Sequence, residues 1–450
     1  MGNLFGTDGV RGVANTELSP ELAFAIGRAG ASWAFQRYRS AVIALGRDTR
    51  ISSDMLSCAV AAGIMSSGGT VLDLGIMPTP AIAFLTRDLK ADAGVVISAS
   101  HNPVEYNGIK FFSKEGFKLS IKDEEEITGL VEKSGWPSGN DSLPRPAASD
   151  IGRMRQISDA EDRYIAFIKG FAPDLTGLRI VVDCANGASY RITPRVLAEL
   201  GATVIPINSS PDGLNINVGC GSTHPEAASA AVRRYGADVG LTHDGDADRL
   251  IAIDENGNVV DGDHIIAICG LDLLRRGMLP QKAVVATVYS NLGLIDAFRR
   301  EGGDVIATKA GDRYVFEEMR NRGIILGGEQ SGHIIFLNQS TTGDGLITAL
   351  NLLKVLVSSG RPLSSLAGQM MTYPQLLVNV KVSDRERFLS NPRVSQAVRD
   401  AEERLKGSGR IFVRPSGTEP LIRILGEGPD SDLVHEVVHG LAGVIREECG

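Results

Sequence analysis

Three short apolar runs alternate with three helical patterns over the first hundred residues, and that rhythm restricts the fold more than any other feature. Ser19-Pro20-Glu21 reads as a helix N-cap, an N1 proline and an acidic first turn. Leu22, Ile26, Ala29 and Trp33 follow at helical spacing to about Tyr38. The runs Ala41–Leu45, Thr70–Leu74 and Gly94–Ser98 read as buried strands, with helices at Ser53–Ser66 and Pro80–Leu89 between them. Alternation of this kind builds a mainly parallel sheet covered on both faces. Ligands bind such sheets beyond the C-terminal strand ends, which directs attention to Arg47, Asp48 and Ser100.

The alternation continues downstream. A stretch rich in Pro, Ser and Gly, Trp136–Ser149, reads as a linker or surface loop. Beyond it Leu178–Asp183, Thr203–Pro206 and Asp238–Thr242 read as the strands of a second α/β unit, and Val284–Val288 and Ile324–Leu326 as strands of a third. After Ser359-Gly360-Arg361-Pro362 the pattern changes. Leu376–Val382 alternates, Arg410–Val413 and Leu421–Leu425 are strand-like, and Glu386–Lys406 and Asp432–Glu447 are helical, which suggests an α+β domain. A chain of 450 residues exceeds the roughly 250–300 that one core supports. The expected division is 1–150, 151–253, 254–366 and 367–450.

The net charge of −8 argues against nucleic acid as a partner, since binding it needs a basic surface. An anionic small molecule would need a local cluster of Arg and Lys. The opening MGNLFGTDGV shows no signal-peptide pattern, and no run approaches the ~18 apolar residues of a membrane span. Cys58, Cys184, Cys220, Cys269 and Cys449 are scattered and form no CxxC pair, so reduced thiols in a cytoplasm are expected rather than disulfides or zinc.

Four loops carry chemistry. In Ser98-Ala99-Ser100-His101-Asn102-Pro103 a serine stands at a strand end beside a histidine, as a nucleophile could; an ordinary turn is the competing reading. In Asp244-Gly245-Asp246-Ala247-Asp248-Arg249 three spaced carboxylates would repel one another unless a hard cation such as Mg²⁺ or Ca²⁺ sat between them. An EF-hand is excluded, because Arg249 stands where that loop needs Gly and Leu250–Asp254 reads as a strand. An aspartate-nucleophile phosphatase motif would carry Thr or Val in place of Asp248. Gly327-Gly328-Glu329-Gln330-Ser331-Gly332-His333 displays polar side chains suited to sugar hydroxyls, with a plain turn as the alternative. Arg414-Pro415-Ser416-Gly417-Thr418-Glu419-Pro420, with Arg423 beyond, offers hydroxyls, backbone N–H groups and guanidiniums as an anion nest. His435 and His439 on the last helix read as surface residues, since no third metal ligand is in view. A nucleophile, a dication site, a hydroxyl-bearing loop and a phosphate site together point to phosphoryl transfer.

SASHNP, DGDADR, GEQSGH and RPSGTEP, in that order, resemble the four signature loops of the α-D-phosphohexomutase superfamily over essentially the whole chain. FGTDGVRG, DCANGA, GSTHPE, SNLGL and GDRYV make the chain most similar to the branch acting on glucosamine phosphate. The resemblance implies four domains around a central cleft, three α/β units with mixed, largely parallel sheets and a C-terminal α+β domain. It implies that Ser100 is the phosphorylated serine and that Asp244, Asp246 and Asp248 hold one Mg²⁺ together with a phosphoserine oxygen. Arg249, Lys110 and His101 would line the transferring phosphoryl group, with Lys110 a general acid/base candidate. Arg11, Glu329, Ser331 and His333 would meet the substrate, and Arg414, Ser416, Gly417, Thr418 and Arg423 would grip the other phosphate. Two positions depart from the pattern: Tyr106 stands where relatives commonly have Asp, and Asp312 where hexose-specific relatives often carry His. The Asp312 carboxylate could favour an amino sugar.

The implied activity is a glucosamine 6-phosphate to 1-phosphate mutase working through a 1,6-bisphosphate, cytoplasmic, homodimeric, and supplying amino sugar for cell-wall precursors. A phosphomannomutase or phosphoglucomutase differs only in substrate. A phosphatase, or a non-enzymatic sugar-phosphate sensor with no need of the acidic triad, are the rival classes.

Overall fold

The computed structural model describes residues 4–6, 8–139, 141–383, 388, 390–407, 409–415 and 421–450. Ser19 caps the first helix, Pro20–Tyr38, its hydroxyl accepting the Leu22 N–H at 3.3 Å. The helix covers one face of a six-stranded sheet, whose strands lie in the order Val10–Val13, Tyr106–Ser113, Ala93–Ile97, Val42–Arg47, Thr70–Ile76 and Met154–Gln156. The last four are parallel to one another, whereas Tyr106–Ser113 runs antiparallel to both of its neighbours. Ala93–Ile97 is buried along its whole length, as its unbroken apolar run requires. The first sheet takes its edge strand from Met154–Gln156, beyond the boundary expected at residue 150.

A five-stranded sheet follows, ordered Val259–Val260, Ile251–Ile253, Val239–Thr242, Arg179–Asp183 and Thr203–Ile207. A four-stranded one is ordered Asp304–Thr308, Ala283–Thr287, Leu326–Gly328 and Ile334–Phe336. In all three sheets an inner strand with a parallel neighbour is followed directly by an antiparallel return strand. Ala93–Ile97 returns as Tyr106–Ser113, Val239–Thr242 as Ile251–Ile253, and Leu326–Gly328 as Ile334–Phe336. The three loops singled out in the sequence are the three bends so made. The third strand begins at Leu326 rather than Ile324, so Gly327 and Gly328 belong to the sheet itself. A Cβ on Gly328 would stand 2.6 Å from the His333 carbonyl oxygen, which is why this strand can run so close to its return.

Contacts divide the chain into two units, Met1–Thr287 with Ile306–Ala367, and Val288–Val305 with Gly368–Gly450. The second holds a three-stranded antiparallel sheet ordered Gln375–Lys381, Leu421–Glu427 and Arg410–Pro415, with helices Pro392–Leu405 and Ser431–Cys449 packed on it. The first of these helices starts at Pro392 behind an Asn391 cap, later than the Glu386 expected; residues 384–387 and 389 lie outside the described residues. Contacts group helix Leu292–Arg300, which the sequence division places within 254–366, with this unit. The buried carboxylate of Glu427 accepts the Leu292 N–H at 2.8 Å and bonds Gln375 and Arg410 as well. Among the described residues no helix is long and apolar enough to cross a membrane.

Asp344 caps helix Gly345–Ser359, accepting the Leu346 and Ile347 N–H groups at 3.0 and 2.9 Å and the Tyr164 hydroxyl at 2.7 Å. Burial pushes its carboxyl up to about 6, against the stabilising pull of those three donors. A folded-state value above the unfolded one means that ionisation between about pH 4 and 6 weakens the fold. Asp344→Asn, which never ionises, should therefore gain on the wild type as pH rises from 4.5 to 7.5, by about 2 kcal/mol. Thermal midpoints of both proteins at the two pH values test this; a constant gap would contradict it.

Candidate active site

Ser100 follows the buried strand with its backbone in the left-handed region, at φ 53°. For a residue other than glycine that conformation costs on the order of 1 kcal/mol and needs outside support. Arg50 supplies it. The fully buried guanidinium donates to the carbonyls of Pro103 and Tyr106 at 2.6 and 3.1 Å, and to those of Ser100 and Asn102 at 2.9 and 2.8 Å. Its Nε meets Asp48 Oδ2 at 2.9 Å, and that carboxylate accepts Ser98 Oγ at 2.7 Å. Asn217 Nδ2 adds a bond to the Ser100 carbonyl at 2.9 Å. Tyr106, the unusual residue in this loop, contributes its carbonyl to Arg50 and starts the return strand, so its side chain is not needed for the loop's shape. Of the strand-end residues flagged in the sequence, Asp48 is in this network, whereas Arg47 pairs with Asp54 and Asp73. The residue missed was Arg50. It stands at the N-cap of helix Ile51–Ser66, where a cation opposes the helix dipole, but the carbonyls it holds lie 50 or more residues away.

The acidic loop meets the serine directly. Asp244 Oδ2 accepts the Ser100 hydroxyl at 2.5 Å, and a Cβ on Gly245 would lie 2.7 Å from the Ser100 carbonyl, so only glycine fits. Carboxylate oxygens of Asp244, Asp246 and Asp248 lie within 4.8 Å of one another, all three residues buried. Asp246 Oδ2 accepts Thr79 Oγ1 at 2.7 Å and Lys110 Nζ at 3.1 Å, while Asp246 Oδ1 and Asp248 Oδ1 are buried without a hydrogen-bond partner. Burial and then the charges of Asp248 and Asp246 push the Asp244 carboxyl up to about 8. Burial opposes ionisation of Asp248 too, but His333, Lys110 and Arg249 hold it well below the usual carboxylate range. Clustered hard oxygens, two of them orphaned, suit a small divalent cation such as Mg²⁺.

Cationic and neutral donors surround the pair. His101 Nδ1 lies 3.3 Å from Ser100 Oγ; burial, with Arg249 and Arg11, lowers its value to about 4, so the imidazole is neutral near pH 7. Lys110 is buried, which favours the neutral amine, yet Asp246 and Asp8 raise it above its ordinary value and keep it an ammonium. Arg249 donates its backbone N–H to Asp244 Oδ1 at 3.3 Å and sets its Nε 3.9 Å from Asp248 Oδ1. Arg11, on the strand Val10–Val13, pairs with Asp8 and reaches Asn102 Oδ1 at 3.2 Å.

The third loop joins them. His333 is buried with Nδ1 3.5 Å from Asp248 Oδ2 and Nε2 3.5 Å from Asp312 Oδ2; burial works against its charge, but those two carboxylates raise it to about 9. Glu329 accepts the Gly311 N–H at 3.1 Å, and Ser331 is exposed. The Asp312 carboxylate, suggested in the sequence as an amino-group receptor, is bonded by Lys118 and faces His333, so it is already engaged. In the second unit Arg414 and Arg423 sit opposite each other on neighbouring strands, the Arg414 guanidinium 5.0 Å from the Tyr289 ring centroid. Ser416, Gly417 and Thr418 lie outside the described residues. His435 and His439 are exposed.

The chain matches the four models of the phosphoglucomutase/phosphomannomutase family: alpha/beta/alpha domain I over residues 2–137, domain II over 162–257, domain III over 261–373 and the C-terminal domain over 377–444. A phosphoglucosamine mutase of Carboxydothermus hydrogenoformans is 56% identical over 449 residues, covering 99% of this chain and all of that protein. Among solved structures, a phosphoglucomutase/phosphomannomutase family protein of Burkholderia thailandensis superposes with a TM-score of 0.83 at 23% identity, over 99% of this chain and 97% of that one. An Aspergillus fumigatus N-acetylphosphoglucosamine mutase, solved with GlcNAc-6P and magnesium, gives a TM-score of 0.70 at 18% identity, over 99% and 96% of the two chains.

Removing the Arg50 guanidinium leaves a buried carboxylate and four carbonyls to find other partners. Arg50→Met should destabilise the first unit on the order of 3 kcal/mol. Trp33 and Trp136, the two tryptophans of the chain, both pack in the core beneath that sheet, so their emission during urea unfolding reads the loss. An unmoved transition would show that the loop keeps its shape without Arg50.

Proposed function

The chain belongs to the phosphoglucomutase/phosphomannomutase family, and we propose that it interconverts glucosamine 6-phosphate and glucosamine 1-phosphate by way of a phosphorylated Ser100 and a sugar 1,6-bisphosphate. The observation that carries this reading is the Ser100 hydroxyl bonded to Asp244 at 2.5 Å, inside a shell of three carboxylates, Lys110, Arg249 and a neutral His101. The choice of sugar rests on the whole-length similarity to phosphoglucosamine mutases.

A phosphoserine carries about −1.5 to −2 charge at neutral pH. Beside three aspartates it needs compensation. Asp244, Asp246 and Asp248 would hold Mg²⁺, which supplies positive charge against the phosphoryl oxygens. Transfer itself depends on alignment and charge balance more than on covalent chemistry. Arg50 and Asn217 fix the backbone from which Ser100 projects, and Arg249 brings a guanidinium to the edge of the triad. Lys110 starts the cycle with its proton and His101 without one, so in the first half-reaction Lys110 donates to the departing oxygen and His101 accepts from the attacking hydroxyl; in the return transfer His101 donates and Lys110 accepts, which restores both. Glu329 and Ser331 bind sugar hydroxyls. Arg414 and Arg423, on adjacent strands, bind the phosphate that is not in transfer. After the first transfer the bisphosphate reverses end for end and the other phosphate returns to Ser100. The reaction takes place in the cytoplasm, where scattered cysteines stay reduced.

A coupled assay on glucosamine 6-phosphate with Mg²⁺ and a trace of sugar bisphosphate, beside glucose and mannose phosphates, tests the reading. Preference for glucosamine is expected. Equal or faster turnover of the hexoses would retain the mechanism and overturn the substrate, and steady release of free phosphate would make the protein a phosphatase. Ser100→Ala should lower turnover on the order of a thousandfold or more. Mg²⁺ should raise the thermal midpoint of the wild type and leave that of Asp248→Asn nearly unmoved; equal shifts would remove Asp248 from the metal site.

A further inference from the structure

Seven ionic side chains form a circuit of alternating partners that starts at one carboxylate of the acidic triad and ends at another. Asp246 Oδ2 meets Lys110 Nζ at 3.1 Å, Lys110 Nζ meets Asp8 Oδ2 at 3.1 Å, and Asp8 Oδ1 meets Lys118 Nζ at 2.7 Å. Lys118 Nζ then bonds Asp312 Oδ2, Asp312 faces His333 Nε2 at 3.5 Å, and His333 Nδ1 faces Asp248 Oδ2 at 3.5 Å. The circuit begins and ends in the acidic triad. One arm runs through the nucleophile sheet and the other through the third loop, and Lys118 is the bond between them.

The backbone around Lys118 is fixed without its side chain. It leaves a tight turn closed by Gly116 N–H to the Ser113 carbonyl at 2.8 Å, and Thr341 Oγ1 bonds the Gly116 carbonyl at 2.5 Å. Phe117 packs on Phe316 with centroids 5.1 Å apart, and Arg313 pairs with Glu124 at 2.7 Å. So many independent contacts hold the fold here that the buried charge needs a different explanation.

We propose that Lys118 is a positioning residue for phosphoryl transfer, which holds Asp8 and Asp312 apart as two anchored carboxylates and through them fixes Lys110 and His333 against the triad. Without its ammonium, Asp8 has Lys110 and Arg11 to turn to among the described residues, and Asp312 has His333 besides the Arg313 N–H that it already accepts. Each shift draws a cation away from the acidic loop. Lys110 and His333 would then sit off their working positions, while Glu329, Ser331, Arg414 and Arg423 keep theirs. Misplacement of about 1 Å in such groups can cost about a hundredfold in rate. The inference rests on the reading of Ser100 as the phosphoryl carrier.

Steady-state kinetics on glucosamine 6-phosphate test it, run beside the wild type, whose own turnover and Ser100 phosphorylation are established first. A wild type without turnover would defeat the functional reading; the variants below address Lys118 alone. Lys118→Met is expected to lower kcat at least about tenfold with KM within about threefold, and Lys118→Arg to recover most of the loss. A cavity of about 450 Å³, lined by Lys118, Asp312, Phe117, Phe316 and Arg320, reaches this point. Propylamine added to Lys118→Ala should therefore restore part of the rate by replacing the missing ammonium. Wild-type kcat in Lys118→Met, loss confined to KM, or an Arg variant and an amine-treated Ala variant as slow as Met would each overturn the proposal. Should Lys118→Met not fold, isosteric Asp8→Asn carries the same test: a kcat loss of about fivefold or more supports the circuit, and unchanged kcat sinks it.

Discussion

Three carboxylates shut away from solvent, with oxygens within 4.8 Å of one another, set the conditions for everything around them. Coulomb repulsion at such distances, in a medium less polar than water, is worth several kcal/mol per pair. The surroundings answer it in layers. Asp244 is driven toward its protonated form, while Asp248 stays ionised beside His333, Lys110 and Arg249, and the Lys110 ammonium lies 3.1 Å from Asp246. A cation bound among them would complete the balance. A chain carrying a net −8 thus concentrates Lys110, Arg11, Arg249 and Lys118 where an anion must be handled, as its composition requires of any phosphate-binding protein.

One topological device serves the chemistry repeatedly. An inner strand ends, the chain bends, and an antiparallel strand carries it back, so that the bend stands beyond the sheet with both of its ends held by ladder hydrogen bonds. The same device supplies the serine, the three aspartates and the Glu329–His333 loop. In the second unit the strands Arg410–Pro415 and Leu421–Glu427 are again an antiparallel pair around a short connection. Short, doubly anchored bends can hold a strained residue such as Ser100 or Ala247 at positive φ without a covalent brace.

Much of this was legible in the sequence. The inner strands, the capped first helix and the first three loops all follow from local rules, namely apolar runs, Ser-Pro-Glu at a helix start, and polar clusters at strand ends. The return strands Tyr106–Ser113 and Ile334–Phe336 were not read, because the first carries the turn pair Asn107-Gly108 inside it and the second is three residues long. Arg50, Asp8 and Lys118 were missed for a different reason. Their partners lie 50 or more residues away in most of these contacts, and a lone basic or acidic residue in sequence looks like surface. The placement of helix Leu292–Arg300 in the second unit depends on Glu427, whose burial no local pattern announces.

That placement has a consequence in time. The N–H of Leu292 finds its acceptor 135 residues further along the chain. At a synthesis rate of about 5–20 residues per second, the helix leaves the ribosome on the order of ten seconds before the strand that receives it. Meanwhile residues 306–367, which belong to the first unit, are made and can fold around it. The first N–H of the helix thus waits during synthesis for a carboxylate not yet translated. Maturation of the second unit is tied to completion of the chain, and a nascent chain stalled before residue 427 would hold three sheets and no finished fourth domain.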